Sequence, residues 1–202
     1  DGATFRNNHI DVEFTPYTNE NLGGIIVPNA SAFRETTFET TGPLNNPSLF
    51  LDAHVKLNVV DDIYFQGCTF RNTDLTTFDT HLRGVGIRAT DASIRVTGKC
   101  NIVGPWWNPC ATYTPSHFEG LSYGIRAEDS NPMYGIVVNK TDFVNNWRGI
   151  LTKGANYSDI TECSFDVGET AFNAVKDPSY YGIYPYSGWG YKIEENIFLT
   201  NY

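Results

Sequence analysis

The chain has 202 residues, 41% of them apolar, and a formal net charge of −9. That size and composition fit one domain with a continuous core. The acidic balance, without any Lys/Arg-rich run, argues against nucleic acid as a partner, and no apolar stretch is long enough for a membrane-spanning helix.

From its first residues the chain repeats one phrase: a small residue, a spacer, a large apolar residue, then often Asn. It reads Ala3-Thr4-Phe5-Arg6-Asn7, Thr36-Thr37-Phe38, Cys68-Thr69-Phe70-Arg71-Asn72 and Cys100-Asn101-Ile102, then Thr141-Asp142-Phe143-Val144-Asn145, Cys163-Ser164-Phe165 and Asn196-Ile197-Phe198. The anchors 5, 38, 70, 102, 143, 165 and 198 lie 33, 32, 32, 41, 22 and 33 residues apart, a spacing that marks a repeat architecture. A second phrase precedes each later anchor: Gly24-Ile25, Gly86-Ile87, Gly124-Ile125, Gly149-Ile150 and Gly182-Ile183, with His54-Val55 in the same slot. From this Ile or Val to the next anchor the distance is 15 in four cases, 13 once and 18 once, while the reverse gap swings between 7 and 23. Length variation is therefore expected on one side of the repeat, often the binding side.

Between the phrases run short β-branched and aromatic segments: Ile25-Ile26-Val27, Val55-Lys56-Leu57, Ile63-Tyr64-Phe65, Ile94-Arg95-Val96, Ile136-Val137-Val138 and Phe198-Leu199. They alternate apolar and polar positions and are punctuated by Gly, Asn and Asp, which predicts short strands and turns. No apolar stripe at helical spacing persists for ten residues. The expected fold is all-β: a right-handed parallel β-helix, a solenoid of about six to seven coils with insertions on one side, equivalent residues stacking about 4.8 Å apart. The anchors would form an internal aromatic ladder beside a column of small residues. Asn after the anchor suits a positive φ, and Gly before Ile suits a tight turn into the strand.

Residues 1–202 are expected to form a single segment, with the longest insertion at 103–123. The repeat begins at Phe5 and ends at Phe198 with no evident cap, which reads as part of a longer solenoid whose further coils are partners. A cap built from residues 6–22 is the alternative. No signal peptide is expected at the start of the chain. Three cysteines (Cys68, Cys100, Cys163) share the small column, which suits a reduced packing ladder with Cys110 in a loop. Disulfides Cys68–Cys100 or Cys100–Cys110 are the alternatives.

At Cys68-Thr69-Phe70-Arg71-Asn72, at the Gly-Ile phrases, and at Gly188-Trp189-Gly190-Tyr191-Lys192-Ile193-Glu194-Glu195-Asn196-Ile197-Phe198, the chain resembles the right-handed β-helix repeat segments of large secreted proteins of Bacteroidota. The resemblance covers essentially the whole chain. It implies a secreted or bacterial cell-surface location, with export by analogy through the type nine secretion route, and it specifies fold and lineage rather than activity.

Enzymes on this fold degrade acidic polysaccharides, and Asn72-Thr73-Asp74 resembles the Asn-Thr-Asp of polygalacturonases. The rest of that pattern is missing: Asp61-Asp62 lies upstream, His81 is followed by Leu82, and no Arg-Ile-Lys occurs. A lyase would need clustered carboxylates for Ca²⁺ and a basic residue. Asp74, Asp79, Glu119 and Asp177, with Arg83 or Lys176, are candidates on the insertion side, but any acidic chain supplies as much. No catalytic or metal set is assigned, Ca²⁺ has no motif, and His9, His54, His81 and His117 have no metal spacing. His54 reads as structural.

Aromatics are the stronger signal. Trp106, Trp107, Tyr113 and His117 crowd the insertion, and Tyr184 and Trp189 stand in a Tyr-rich stretch from Tyr180 to Tyr191. These six are the candidate ligand-binding residues, for a glycan or a surface-assembly protein. The alternative is that the Trp pair folds back to cover the solenoid. Three sequons, at Asn29, Asn139 and Asn156, are also present. The expected function is a structural or adhesive segment. A polysaccharide-binding or polysaccharide-degrading domain and a partner-docking module are the alternatives.

Overall fold

The computed structural model describes residues 2–17, 20–27, 31–44, 46, 48–74, 82–103, 110–129, 134–167 and 180–199. The described residues are almost entirely β, with long parallel sheets compatible with the expected β-helix. Seven strands lie side by side in chain order and all parallel: Thr4–Arg6, Thr37–Thr40, Thr69–Asn72, Ser116–Glu119, Thr141–Asn146, Ser164–Val167 and Ile197–Leu199. We call this the phenylalanine sheet. A second, ten-stranded sheet has two arms, joined by the 14-residue strand Ala53–Gln66 and the 13-residue strand Val85–Thr97, which run through both. One arm continues through Tyr123–Glu128, Arg148–Lys153 and Tyr181–Tyr186, the other through Ile136–Asn139, Asp159–Thr161 and Lys192–Glu194.

Register explains composition. Phe5, Phe38, Phe70, Phe118, Phe143, Phe165 and Phe198 fall directly opposite one another. Their rings stack at centroid distances of 5.1, 4.8, 4.5, 5.0, 4.8 and 5.1 Å. Each fully buried ring contributes about 1.5–3 kcal/mol of transfer free energy, and the stack itself about 0.5–1.5 kcal/mol per pair. Two positions earlier, Thr36, Cys68, Ser116, Thr141 and Cys163 are buried. Only small side chains fit there, and Ser116 Oγ and Asn196 Oδ1 accept the N–H of Cys68 and Cys163.

The fourth anchor is Phe118, not Ile102. The segment Lys99–Val103 pairs antiparallel with Cys110–Thr114 as a hairpin inserted between Gly98 and Ser116. Cys100 and Cys110 join across it in a disulfide, while Cys68 and Cys163 stay free and buried. The three-cysteine ladder is thereby replaced by one with Ser116 in the middle. Of the insertion expected at 103–123, the hairpin takes 103 and 110–114, while Ser116–Glu119 belongs to the phenylalanine sheet and Tyr123 starts the next strand.

The first Gly-Ile phrase is also displaced. Ile25 sits in an antiparallel pair of strands, Glu20–Leu22 with Ile25–Val27, and Val12 occupies the column with Val55, Ile87, Ile125, Ile150 and Ile183. Chain additions therefore fall at three corners rather than one: 41–52 and 73–84 after the phenylalanine sheet, 15–31 between the arms, and the hairpin before Ser116.

The glycines before Ile serve close approach rather than a special φ. A Cβ on Gly86, Gly124, Gly149 or Gly182 would lie 2.6, 2.6, 2.8 or 2.7 Å from the ring of Phe118, Phe143, Phe165 or Phe198. The column therefore has room for a ring only where the side chain is absent. In the earlier passes the slot holds His54 and Asp11, whose Nδ1 and Oδ2 are 2.6 Å apart with both side chains covered. Left-handed backbone sits instead at the corner three residues before an anchor, at Gly2, Glu35, Gly67, Lys140, Glu162 and Glu195. Asn7 and Asn145 take the expected positive φ after the anchor. Asn72 does not; its side chain donates to Arg83 O and accepts from Asp74 N instead.

At the corner between the arms, Asp129 Oδ1 accepts the N–H of Ala92 at 3.2 Å. Burial, aided by the charge of Asp91, pushes its carboxyl up to about 7. The folded chain then holds this proton more tightly than the unfolded chain, so the group's stabilisation is complete below about pH 4 and is lost as pH rises through 7. Solvent access at the corner keeps the effect to about 1–2 kcal/mol. Asp129→Asn is expected to melt close to wild type at pH 4 and several degrees higher at pH 8. Parallel pH profiles for the two proteins in a thermal melt would contradict the assignment.

Candidate functional site

The outward side of the glycine-bearing arm carries the densest grouping of aromatic and cationic side chains among the described residues. Alternation along Tyr123–Glu128, Arg148–Lys153 and Tyr181–Tyr186 sends Gly and Ile inward and their neighbours outward. Parallel pairing then lines them up: Tyr123, Arg148 and Tyr181 in one column, Arg126, Leu151 and Tyr184 in the next, Glu128, Lys153 and Tyr186 in a third.

Arg148 organises the first column. Its guanidinium lies 3.7 Å from the centroid of the buried Trp147 ring, 4.7 Å from Tyr181 and 5.3 Å from Tyr123, and it donates to Tyr123 Oη. Such cation–π contacts are worth about 0.5–2 kcal/mol each and fix the rings in place. Arg126 donates twice to Glu128, at 3.1 and 3.0 Å. Burial pushes the Tyr181 phenol up to about 12, against the pull of Arg148, so it is a neutral hydroxyl at physiological pH. Beyond it Tyr184 and Tyr186 are 44% and 50% exposed, with ring centroids 4.6 Å from Tyr181 to Tyr184 and 6.2 Å from Tyr184 to Tyr186. This is a preformed row of phenol rings flanked by cations.

Tyr184 is thus at the centre of the site. Trp189 stands at the following corner, exposed and edge-on to Tyr157 at 4.5 Å. Tyr113 and His117 are elsewhere. Tyr113 lies on the hairpin with Lys140 Nζ 5.0 Å from its ring centroid. His117 faces outward from the phenylalanine sheet opposite Asp142, with Nε2 3.5 Å from Glu119 Oε2. Burial pushes the Asp142 carboxyl up, opposed by His117. Trp106 and Trp107 lie outside the described residues, as do Asp79, His81, Lys176 and Asp177. Tyr123, Arg126, Arg148 and Lys153 were missed in the sequence. The signal for Tyr123 and Arg148 is the residue before the last three Gly-Ile phrases, which reads Tyr123, Arg148, Tyr181.

Several other candidates are tied up by structure. Both ring nitrogens of His54 are engaged, Nδ1 with Asp11 Oδ2 and Nε2 with the Arg71 carbonyl at 3.1 Å, which makes the ring part of a buried structural pair. Arg83 is buried and donates to the carbonyls of Gly120, Asp74 and Asn72, which makes it a corner clamp. Beside it a cavity of about 70 Å³ is lined by Leu44, Leu51, Leu82, Thr40, Asn72 and Asp74. Glu39 bridges Arg6 and Arg71, and the hydrogen bond from Arg71, joined by Arg6 against a desolvation cost, holds its carboxyl below the usual range. Asn139 Nδ2 donates to Thr161 Oγ1, and the buried Asn156 accepts the N–H of Trp189 through Oδ1. Asn29 is outside the described residues. Among the described residues no group of three metal-ligating side chains converges, and no helix is long and apolar enough to cross a membrane.

No family model matches the chain, and neither does any curated protein or solved structure.

Proposed function

We propose that the chain is a right-handed parallel β-helix segment of a secreted or cell-surface bacterial protein, with a structural and adhesive role. The single observation that carries the adhesive part is the row Tyr181, Tyr184, Tyr186 beside Arg148, two of its rings open to solvent on a stack of parallel strands. Exposed tyrosines held rigidly lose little side-chain entropy on contact and present both an apolar ring and a hydroxyl, which suits a weak, repeated attachment. The stacked phenylalanines support the structural part, because each strand is braced by both neighbours. The bacterial and secreted setting rests on the resemblance of the repeat phrases.

The test is retention of the fluorescently labelled protein on printed glycans and matrix proteins. Saturable retention that falls at least tenfold in Tyr184→Ala/Tyr186→Ala is expected, with Trp106→Ala/Trp107→Ala tested separately. Retention on nothing would remove the adhesive role and leave a scaffold.

A further inference from the structure

We infer that the tyrosine–arginine face takes an anionic glycan, one whose sugars carry carboxylate or sulfate groups. This rests on the contact-face reading above and names its ligand class. The first ground is local charge. The chain as a whole carries −9, yet among the described residues this face sets Arg126, Arg148 and Lys153 against the one carboxylate of Glu128. That carboxylate is already held by Arg126 through two hydrogen bonds. On a chain with net negative charge, a local excess of cations beside open rings focuses a polyanion here.

Placement is the second ground. Two of the three outer tyrosines have a cation directly opposite in the neighbouring strand, Arg148 opposite Tyr181 and Lys153 opposite Tyr186, while Tyr184 between them faces Leu151. Adjacent strands are about 4.8 Å apart. A sugar lying on a phenol ring would therefore bring its ring substituent to the cation beside it. Arginine and lysine both suit this: guanidinium matches the planar geometry of a carboxylate or sulfate, and ammonium supplies a point charge. A neutral sugar could stack on the rings and hydrogen-bond through its hydroxyls, but it would leave the cations without a charge to pair with. An acidic peptide shares the charge but not the flat apolar faces that a row of phenol rings would stack upon, which favours the glycan.

The experiment is titration of the intact protein, by calorimetry at low and at physiological salt, with four oligomers of matched length: oligogalacturonate, sulfated dextran, neutral dextran and oligoglutamate. Binding of at least one anionic sugar, weakening with salt and at least tenfold tighter than neutral dextran or oligoglutamate, is expected. The carboxylated and sulfated arms distinguish the two sources of charge. Lys153→Glu, an exposed substitution that leaves the fold alone, and Tyr184→Ala are each expected to weaken it at least tenfold. Equal or tighter binding of neutral dextran, lost in Tyr184→Ala, would overturn the charge assignment while leaving the adhesive reading standing. Oligoglutamate binding as tightly as the sugars would replace the glycan with an acidic peptide. No anionic sugar binding would overturn the inference, and retention on the printed surface would then decide the adhesive role by itself.

Discussion

Phe118→Ala is expected to cost about 3–5 kcal/mol of stability, while Ile102→Ala stays within about 0.5 kcal/mol of wild type. Phe118 is fully buried between Phe70 and Phe143, at 4.5 and 5.0 Å, and its ring also fills the space left by the missing side chain of Gly86. Truncation therefore opens a cavity that two stacked rings and a tight backbone cannot close. Ile102 lies on the hairpin, 58% exposed. Urea unfolding of the two variants checks this: a fall in midpoint for Phe118→Ala at unchanged slope, and none for Ile102→Ala. The reverse order would mean that the hairpin strand, not Ser116–Glu119, belongs in the sheet.

His54→Ala is expected to destabilise by about 3–5 kcal/mol, because it strands the carboxyl group of Asp11 in the interior. Asn8 Nδ2 would remain as its hydrogen-bond donor, at 2.8 Å from Oδ1. The ring also lies 6.4 Å from Phe38 and 6.5 Å from Phe70, so truncation loosens the aromatic stack. Removing both partners at once should cost clearly less than the sum of the single changes, since the double variant strands neither the carboxyl group nor the ring and matches the glycines of the later passes. A chemical-denaturation cycle over wild type, Asp11→Gly, His54→Gly and Asp11→Gly/His54→Gly reads this coupling. Strict additivity would show that the pair does not act as a unit.

The repeat was legible because parallel strands in register need like residues at like positions. The phenylalanine and small-residue columns could be read from the first and the last passes without error. Two places misled. Cys100-Asn101-Ile102 copies the phrase at the expected 32-residue spacing, yet antiparallel pairing with Cys110–Thr114 claims it. Only the gap to the next Gly-Ile exposes the substitution: Phe118 precedes Ile125 by seven residues, as Phe5 precedes Val12 and Phe143 precedes Ile150. Gly24-Ile25 likewise copies the second phrase within an insertion. The contact face was half legible. Tyr184 stood out in a run of tyrosines, but Tyr123 and Arg148 lie 58 and 33 residues before Tyr181, and only strand pairing joins them. The Asp11–His54 pair, 43 residues apart, was hidden for the same reason.

The hairpin between Gly98 and Ser116 leaves the stack and returns to it, its two strands tied where the Cα atoms of Cys100 and Cys110 are 5.6 Å apart. Because the departing and returning chain are clamped side by side, the strands on either side do not register how far the tip travels. Lengthening such a tip adds only a slowly growing closure entropy, about 0.6 kcal/mol per doubling. This corner is therefore a port through which new sequence can be displayed without redrawing the columns beneath it, and the molecule keeps what it must repeat separate from what it is free to vary.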